Sequence, residues 1–326
     1  MLSRLIIGIM VVLLAVWGVL AIWFSQLPLP VRILSASVYG LGMLLLPLLL
    51  RPRYRGVLAS LALFAVVVGW FFSIPPANNR DWQPDVALLP FAEVRGNLVT
   101  IHNIRNCDYR SETDYTCHYY DRTFDLATLK SVDLFLVHWG SPHIAHPMVS
   151  FGFDNGGYVS FSIETRKEKG EEYSAVRGFF RNYELTYVVA DERDVVRLRT
   201  NYRNEDVHLY HLLVTPNLAR NAFLSYLSQV NRLHDRPQWY NALTDNCTTN
   251  IRGHTAPYNP QAKLDWRIFI NGTLDEMLYE RGTVDRSLPF AELKQRSYLN
   301  PVARAVGSDP DFSRRIRSVL LSRTGG

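Results

Sequence analysis

Three apolar runs within the first 75 residues decide where a chain like this can fold. Residues 5–24 (LIIGIMVVLLAVWGVLAIWF) carry no charge, residues 31–50 are apolar apart from Arg32 and a few hydroxyls, and residues 56–74 are again uncharged. Each run is close to the roughly 20 residues that a helix needs to cross about 30 Å of hydrocarbon. The sequence therefore predicts three transmembrane helices in residues 1–75. A cleaved signal peptide would have an apolar core of roughly 7–15 residues, and two further runs would not follow it at once.

The basic residues set the expected orientation. Arg51, Arg53 and Arg55 crowd the second connection, whereas the first, residues 25–31, is uncharged up to Arg32. The positive-inside rule then places the N-terminus and the 51–55 loop in the cytoplasm. Three crossings put Pro75 and everything after it on the far side, the periplasm of a bacterium, with the helices in the inner membrane. Trp70, Phe71 and Phe72 fit an interfacial aromatic belt, and residues 75–80 (PPANNR) read as a short tether.

Nearly all the charge lies beyond residue 75; over the whole chain 35 Lys and Arg against 30 Asp and Glu give a net charge of +5. With 48% hydrophobic and 20% charged residues, disorder is excluded as the dominant state. The basic balance of the whole chain, with its larger part tethered outside the cytoplasm, is read as pointing to a membrane surface as partner, not nucleic acid. No Walker loop, GxGxxG element, sustained heptad or repeat is present in the soluble part, so no cofactor is expected.

The three cysteines are too few for a disulfide scaffold or a four-cysteine zinc framework. Cys107 and Cys117 lie ten positions apart in a polar, turn-rich stretch, NCDYRSETDYTC, and in an oxidising compartment are expected to pair. Cys247 is left over. It follows Asp245 and Asn246, two favoured N-cap types, so it should occupy the first turn of a helix. There the unpaired N–H groups and the positive end of the helix dipole stabilise a thiolate and could hold an oxyanion. Every other residue from Thr244 to Asn250 is polar, which favours a reactive thiol over a core cysteine.

A thiol near neutral pH needs a base. His146 stands at the entrance of an alternating segment in which Val149, Phe151 and Phe153 predict a strand with one buried face. After the turn at residues 154–157, residues 157–164 (GYVSFSIE) predict its hairpin partner, ending at Glu164, which could orient the imidazole. His138, His143 and His146 invite a zinc reading, but the H-x4-H-x2-H spacing fits no ligand template and no nearby carboxylate completes a set. His208 and His211 read as part of a half-exposed strand, and His234 and His254 as surface or helix-end residues.

Three separated blocks resemble one family. Residues 161–173 (FSIETRKEKGEEY), 201–210 (NYRNEDVHLY) and 240–251 (YNALTDNCTTNI) look like the Lnb N-terminal periplasmic domain family, whose namesake is a lipoprotein N-acyltransferase. The resemblance covers roughly residues 120–270. It implies an α+β fold of permuted papain-like (NlpC/P60-like) type, with histidine before cysteine, and a Cys–His centre mapped onto Cys247 and His146. Glu164 falls in the family's SIE block. Tyr240 lies seven residues before Cys247, where a tyrosine in NlpC/P60-like enzymes helps to bind the oxyanion. In the namesake the membrane helices follow the catalytic domain; here they precede it.

The expected organisation is a three-helix transmembrane region (1–75), an N-terminal extension with the disulfide (76–120), a Cys–His catalytic domain (121–270) and a C-terminal helical extension (271–326). Further strands are expected at 179–189, 195–201 and 207–214. Residues 216–233 predict an amphipathic helix with Leu218, Phe223, Leu227 and Val230 as its core stripe, and residues 274–280 a short helix. Residues 312–322, with Arg314, Arg315, Arg317 and nearby Arg323, predict a basic helix that is either a solvated face or a contact for anionic headgroups. The expected function is a membrane-tethered periplasmic thiol acyltransferase acting on a lipoprotein or phospholipid substrate. A cysteine amidase or peptidase of the cell envelope, and a non-catalytic binding module, are the alternatives.

Overall fold

The computed structural model describes residues 2–154, 156–259 and 263–321. The chain divides into two compact units.

The first unit comprises residues 1–77, 172–184 and 238–242. Its three helices, α1 (Leu2–Trp23), α2 (Leu29–Leu49) and α3 (Arg53–Ser73), are long and apolar enough to cross a membrane. Small residues let them approach closely, as membrane helices require when no hydrophobic drive separates lipid from protein. A Cβ on Gly18 would meet the Tyr39 ring at 2.4 Å, and one on Gly56 would meet the Leu46 carbonyl oxygen at 2.3 Å. The Tyr39 hydroxyl donates to the Leu14 carbonyl at 2.9 Å, which settles the one phenol in this seam. Leu13, Leu34, Leu49 and Val66 are exposed on the outside, as lipid-facing positions are. Phe71 departs from the expected belt: it is buried against Trp17, with centroids 5.2 Å apart. The later segments finish the helix ends. Arg181 donates to the Phe72 carbonyl at 3.1 Å, Asn182 to Phe24 at 3.1 Å and Trp239 to Ile74 at 3.1 Å. These carbonyls would otherwise be orphans of the last helical turns.

The second unit holds the rest of the chain and is an α+β domain. Its eight strands are β1 (Phe91–Arg95), β2 (Leu98–Tyr109), β3 (Tyr115–Asp125), β4 (Leu129–His138), β5 (Ala145–Phe153), β6 (Tyr158–Arg166), β7 (Glu184–Ala190) and β8 (Asp206–His211). They form one sheet in the order β1-β2-β7-β6-β5-β4-β8, with β3 paired to β2. Cys107 and Cys117 oppose each other directly in the β2–β3 register and form the expected disulfide, Cα–Cα 3.9 Å.

The expected hairpin is present as β5 and β6, with Met148 opposite Ser162 and Gly152 opposite Tyr158; Asn155 of its turn lies outside the described residues. Every residue of β5 is buried, not one face alone. Both sides of the sheet are covered. The helix α5 (Pro216–Asp235) puts Phe223 against Phe151 and Phe161. On the other side Met148 packs with Leu299, Ala303, Phe312 and Ile316 of the C-terminal segment. In α5 the buried stripe is Ala219, Ala222, Phe223, Tyr226, Leu227, Val230 and Leu233, so Leu218 is only half-buried.

Residues 195–201 are helical, not a strand. Asp191 caps α4 (Glu192–Arg197), accepting from the Arg193 amide at 2.9 Å, and a π-helical turn (Leu198–Tyr202) continues it. The cap and burial of both faces override the β-branched composition. The basic C-terminal segment is two short helices, Phe312–Ile316 and Ser318–Leu321; Ser322 and Arg323 lie outside the described residues. Arg317 does not face solvent or lipid: it is buried, 2.7 Å from both Asp133 and Glu192.

Candidate active site

Cys247 is the first residue of α6 (Cys247–Thr255). Asn246 caps the helix, its side chain accepting from the Thr249 amide at 3.0 Å. The local sequence thus places the sulfur where the first-turn N–H groups converge. Cys247 is half-buried.

His146 enters from β5, 6% exposed, and lies near enough to Cys247 to feel its charge. Its Nε2 lies 2.7 Å from the Ser162 hydroxyl and 3.3 Å from Glu164 Oε1. Ser162 in turn donates to Glu164 Oε1 at 2.6 Å. A hydroxyl has one proton to give and an ionised carboxylate can only accept. Ser162 therefore accepts from His146, so Nε2 carries a hydrogen. The β5–β6 register explains the alignment. Met148 faces Ser162, and extending that pairing by two residues brings His146 opposite Glu164 on the same face.

The electrostatics agree with this geometry. Burial alone would lower the His146 pKa, but its interactions with Glu164 and Cys247 outweigh that and push it up to about 9. Burial would raise Glu164, but His146 and Arg199 hold it well below the usual carboxylate range. Arg199 comes from the π-helical turn and sits 3.0 Å from Glu164 and 3.1 Å from Glu205.

Asn271 joins the two halves of the site. Its Oδ1 accepts from the Ala145 amide at the start of β5, 2.8 Å away, and its Nδ2 donates to Thr248 Oγ1 at 2.7 Å. The same Nδ2 lies 3.8 Å from Cys247 Sγ. Gly272 locks this loop down. Its amide donates to the His143 carbonyl at 3.0 Å, and its own carbonyl accepts from His138 Nε2 at 2.9 Å. A Cβ there would lie 2.1 Å from the Pro142 carbonyl oxygen, so only glycine allows the approach.

The structure thus brings together Cys247, His146 and Glu164, and adds Ser162, Asn271 and Arg199, which the sequence did not single out. Tyr240 belongs to the first unit, buried beside Gly178, with its amide donating to the Tyr183 carbonyl at 2.9 Å. Its part in oxyanion binding stays with the resemblance alone. Among the described residues no three His, Cys, Asp or Glu side chains are grouped to hold a metal ion. His254 is in the last turn of α6, one of the two placements expected, but it is buried and not on the surface. It is buried between the Tyr187 hydroxyl at 2.8 Å and Ser225 at 2.9 Å, and burial lowers its pKa to about 4.

Residues 115–272 match the family model of the Lnb N-terminal periplasmic domain. No curated protein and no solved structure matches the chain. The matched segment includes both Cys247 and His146, and the chain is a membrane protein that carries an Lnb N-terminal periplasmic domain.

Proposed function

We propose that this protein is a periplasmic thiol acyltransferase acting on lipid-borne acyl groups, with Cys247 as nucleophile, His146 as proton carrier and Glu164 as the carboxylate that orients it. The observation that supports the reading is the His146 imidazole held by Ser162 and Glu164 and interacting electrostatically with Cys247 in the first turn of α6. In the first step the sulfur attacks the carbonyl carbon of an ester. The sulfur attacks as the thiolate with its proton already on His146, a thioester forms, and the departing alkoxide takes the proton from His146 and leaves as an alcohol. In the second step an amine attacks the thioester, an amide forms, the amine proton passes to His146, and Cys247 leaves as the thiolate. First-turn N–H groups of α6 and the Asn271 amide supply donors near the carbonyl oxygen.

Orientation follows the same reading. The basic 51–55 loop and the N-terminus face the cytoplasm, and the sheet domain faces the periplasm with its lipid substrate in the adjoining leaflet. Tethering confines enzyme and substrate to one surface and raises their effective concentration.

The test is an intact-mass measurement of full-length protein in detergent after incubation with a short activated ester such as p-nitrophenyl acetate, coupled to lipid and lipopeptide mass spectrometry of a deletion strain. Acetylation mapped to Cys247, lost in Cys247→Ala and slowed by His146→Ala, is expected. A thiol that labels no faster than a free cysteine and ignores His146→Ala would favour a binding module.

A further inference from the structure

The Cys107–Cys117 disulfide lies against the segment that carries Arg199 to the active site. Alternation along β2 sends Arg105, Cys107 and Tyr109 to one buried face. That face meets α4, where the Asp194 carboxylate accepts from the Arg105 guanidinium at 2.8 Å, the Cys107 amide at 2.8 Å and the Tyr109 hydroxyl at 3.0 Å.

The π-helical turn after α4 closes over the same hairpin. Leu198 packs with Cys107 and Tyr109, and Cys117 and Tyr202 border that cluster. The Tyr202 hydroxyl donates to the Tyr109 carbonyl at 2.5 Å, and Arg203 lies 3.0 Å from Glu112 in the connection between β2 and β3. Arg199, next in the chain to Leu198, reaches Glu164 and Glu205 instead, at 3.0 and 3.1 Å. One turn therefore rests on the disulfide hairpin through Leu198 and Tyr202 and delivers a guanidinium to the carboxylate behind His146.

A turn of this kind is rare, recurs at functional sites, and gains little from its own hydrogen bonding. Here the Arg203 amide closes it onto the Leu198 carbonyl at 2.9 Å. Its shape must come from what it packs on. Arg304 supports it from the C-terminal segment, donating to the Thr200 carbonyl at 3.0 Å, and the β2–β3 hairpin supports it through Leu198 and Tyr202. That hairpin lies at the margin of the sheet, since β3 pairs with β2 and stands off the main strand order. Strand ends at such a margin open most readily.

We infer that the disulfide is a positioning element of the active site: it holds closed the hairpin on which Leu198 and Tyr202 pack, and so fixes the turn that brings Arg199 to Glu164. The inference rests on the acyl-enzyme reading and adds to it a covalent support about the catalytic carboxylate. The charged groups facing Glu164 are His146 and Arg199, and Arg199 also faces Glu205.

The experiment is a mutant cycle on full-length protein in detergent, with p-nitrophenyl acetate as the ester and acylation of Cys247 read by intact mass. Cys107→Ala with Cys117→Ala, and separately Arg199→Gln, are each expected to slow acylation about tenfold, as small misplacements in an active site do. The triple variant is expected to be no more than about twofold slower than Arg199→Gln, because the disulfide acts through that guanidinium, whereas independent effects would multiply to about a hundredfold. A second readout is the Glu164 carboxyl transition by NMR with isotope-labelled glutamate, assigned against Glu164→Gln. His146 and Arg199 hold this carboxyl well below the usual range, and loss of the disulfide should move it up towards its ordinary 4.5. Tyr202→Phe keeps the ring and removes the bond to Tyr109. It is expected to slow acylation in the same sense, again without adding to Arg199→Gln, and serves if the disulfide variant fails to fold.

Wild-type acylation in the folded disulfide variant, or in Tyr202→Phe if that variant does not fold, would overturn the inference while the acyl-enzyme stands. So would a triple variant about a hundredfold slower than wild type, or a lowered melting temperature with the Glu164 transition unmoved, since a cross-link that only stabilises the fold acts in that way. If the wild type is not acylated at Cys247, the acyl-enzyme reading falls and the Glu164 transition decides alone: an upward move supports the positioning role, and an unmoved transition refutes it.

Discussion

His146 and Glu164 face each other across the β5–β6 hairpin at 3.3 Å, with the Ser162 hydroxyl linked to both. Two-residue periodicity brings all three side chains to one face, and hairpin register sets the distance. The imidazole is thereby held in one orientation before any substrate arrives, an ordering that serves acid–base catalysis.

That relationship makes Glu164→Gln informative. The substitution keeps shape but removes the charge that holds the His146 pKa up to about 9. Burial would then dominate, and His146 should titrate below its ordinary 6.5. The expected result is a loss of about 10–100-fold in acylation rate near pH 7, with the His146 transition displaced to acid pH in an NMR titration. A histidine that still titrates near 9 would disprove the pairing. Ser162→Ala should do less, about tenfold or below, because the direct His146–Glu164 contact survives.

The same shifts predict how stability follows pH. His146 has a folded pKa above its ordinary 6.5, so its contribution is complete below that value and disappears as pH rises through about 9. Glu164 is depressed, so its contribution is present above its ordinary 4.5 and is lost as pH falls through its lower folded value. The melting temperature of the wild type should exceed that of Glu164→Gln most between about pH 5 and pH 6.5, and the gap should close towards about pH 9. A gap that widens with alkalinity would contradict the assignment.

Much of this site was legible beforehand because it is local. The cap preference of Asp245 and Asn246 puts Cys247 at a helix start, and Asn246 is the residue that caps. The alternation around Phe151 gives the hairpin and, through it, the approach of Glu164 to His146. Ser162, two residues from Glu164 on the same face, could have been found by carrying the register through. Asn271 and Arg199 could not, since they reach the site from distant loops with no period to betray them. Residues 195–201 read as a strand because Val195, Val196 and Thr200 are β-branched; the better signal was Asp191, a helix cap ahead of them. Arg317 was read as part of an exposed basic face and His254 as a surface or helix-end residue; His254 does lie in the last turn of α6, but both are buried with partners far away in the chain.

Asn271 and Gly272 should behave as a clamp, with effects on both fold and rate. Asn271→Ala removes the link between Ala145 and Thr248 and the amide near the sulfur. A fall in acylation rate of about 10²–10³-fold is expected if the amide holds the oxyanion, and nearer tenfold if it only ties β5 to α6. Gly272→Ala forces its Cβ into the Pro142 carbonyl. It should destabilise the domain by about 1–3 kcal/mol and disturb the site without touching a reacting group. Parallel melting and acylation measurements separate the two, and a Gly272→Ala protein with unchanged melting would show that the loop is not tight.

Arg317 supplies the test of how the C-terminal segment is held. Its guanidinium meets Asp133 and Glu192 at 2.7 Å each and lies 3.6 Å from the Tyr158 ring centroid, while His211 Nδ1 approaches Asp133 at 2.8 Å. Removing the cation alone leaves two buried carboxylates facing each other, so Arg317→Met should cost about 3–5 kcal/mol. Neutralising one carboxylate as well, in Arg317→Met with Glu192→Gln, should recover part of that loss, because the penalty comes from uncompensated charge. Arg314 and Arg315, exposed and paired with Asp311 and Asp309, should change stability by less than about 1 kcal/mol when replaced by alanine. Equal losses for Arg314→Ala and Arg317→Met in a melting series would mean that Arg317 is solvated, and the latch at the C-terminus would have to be abandoned.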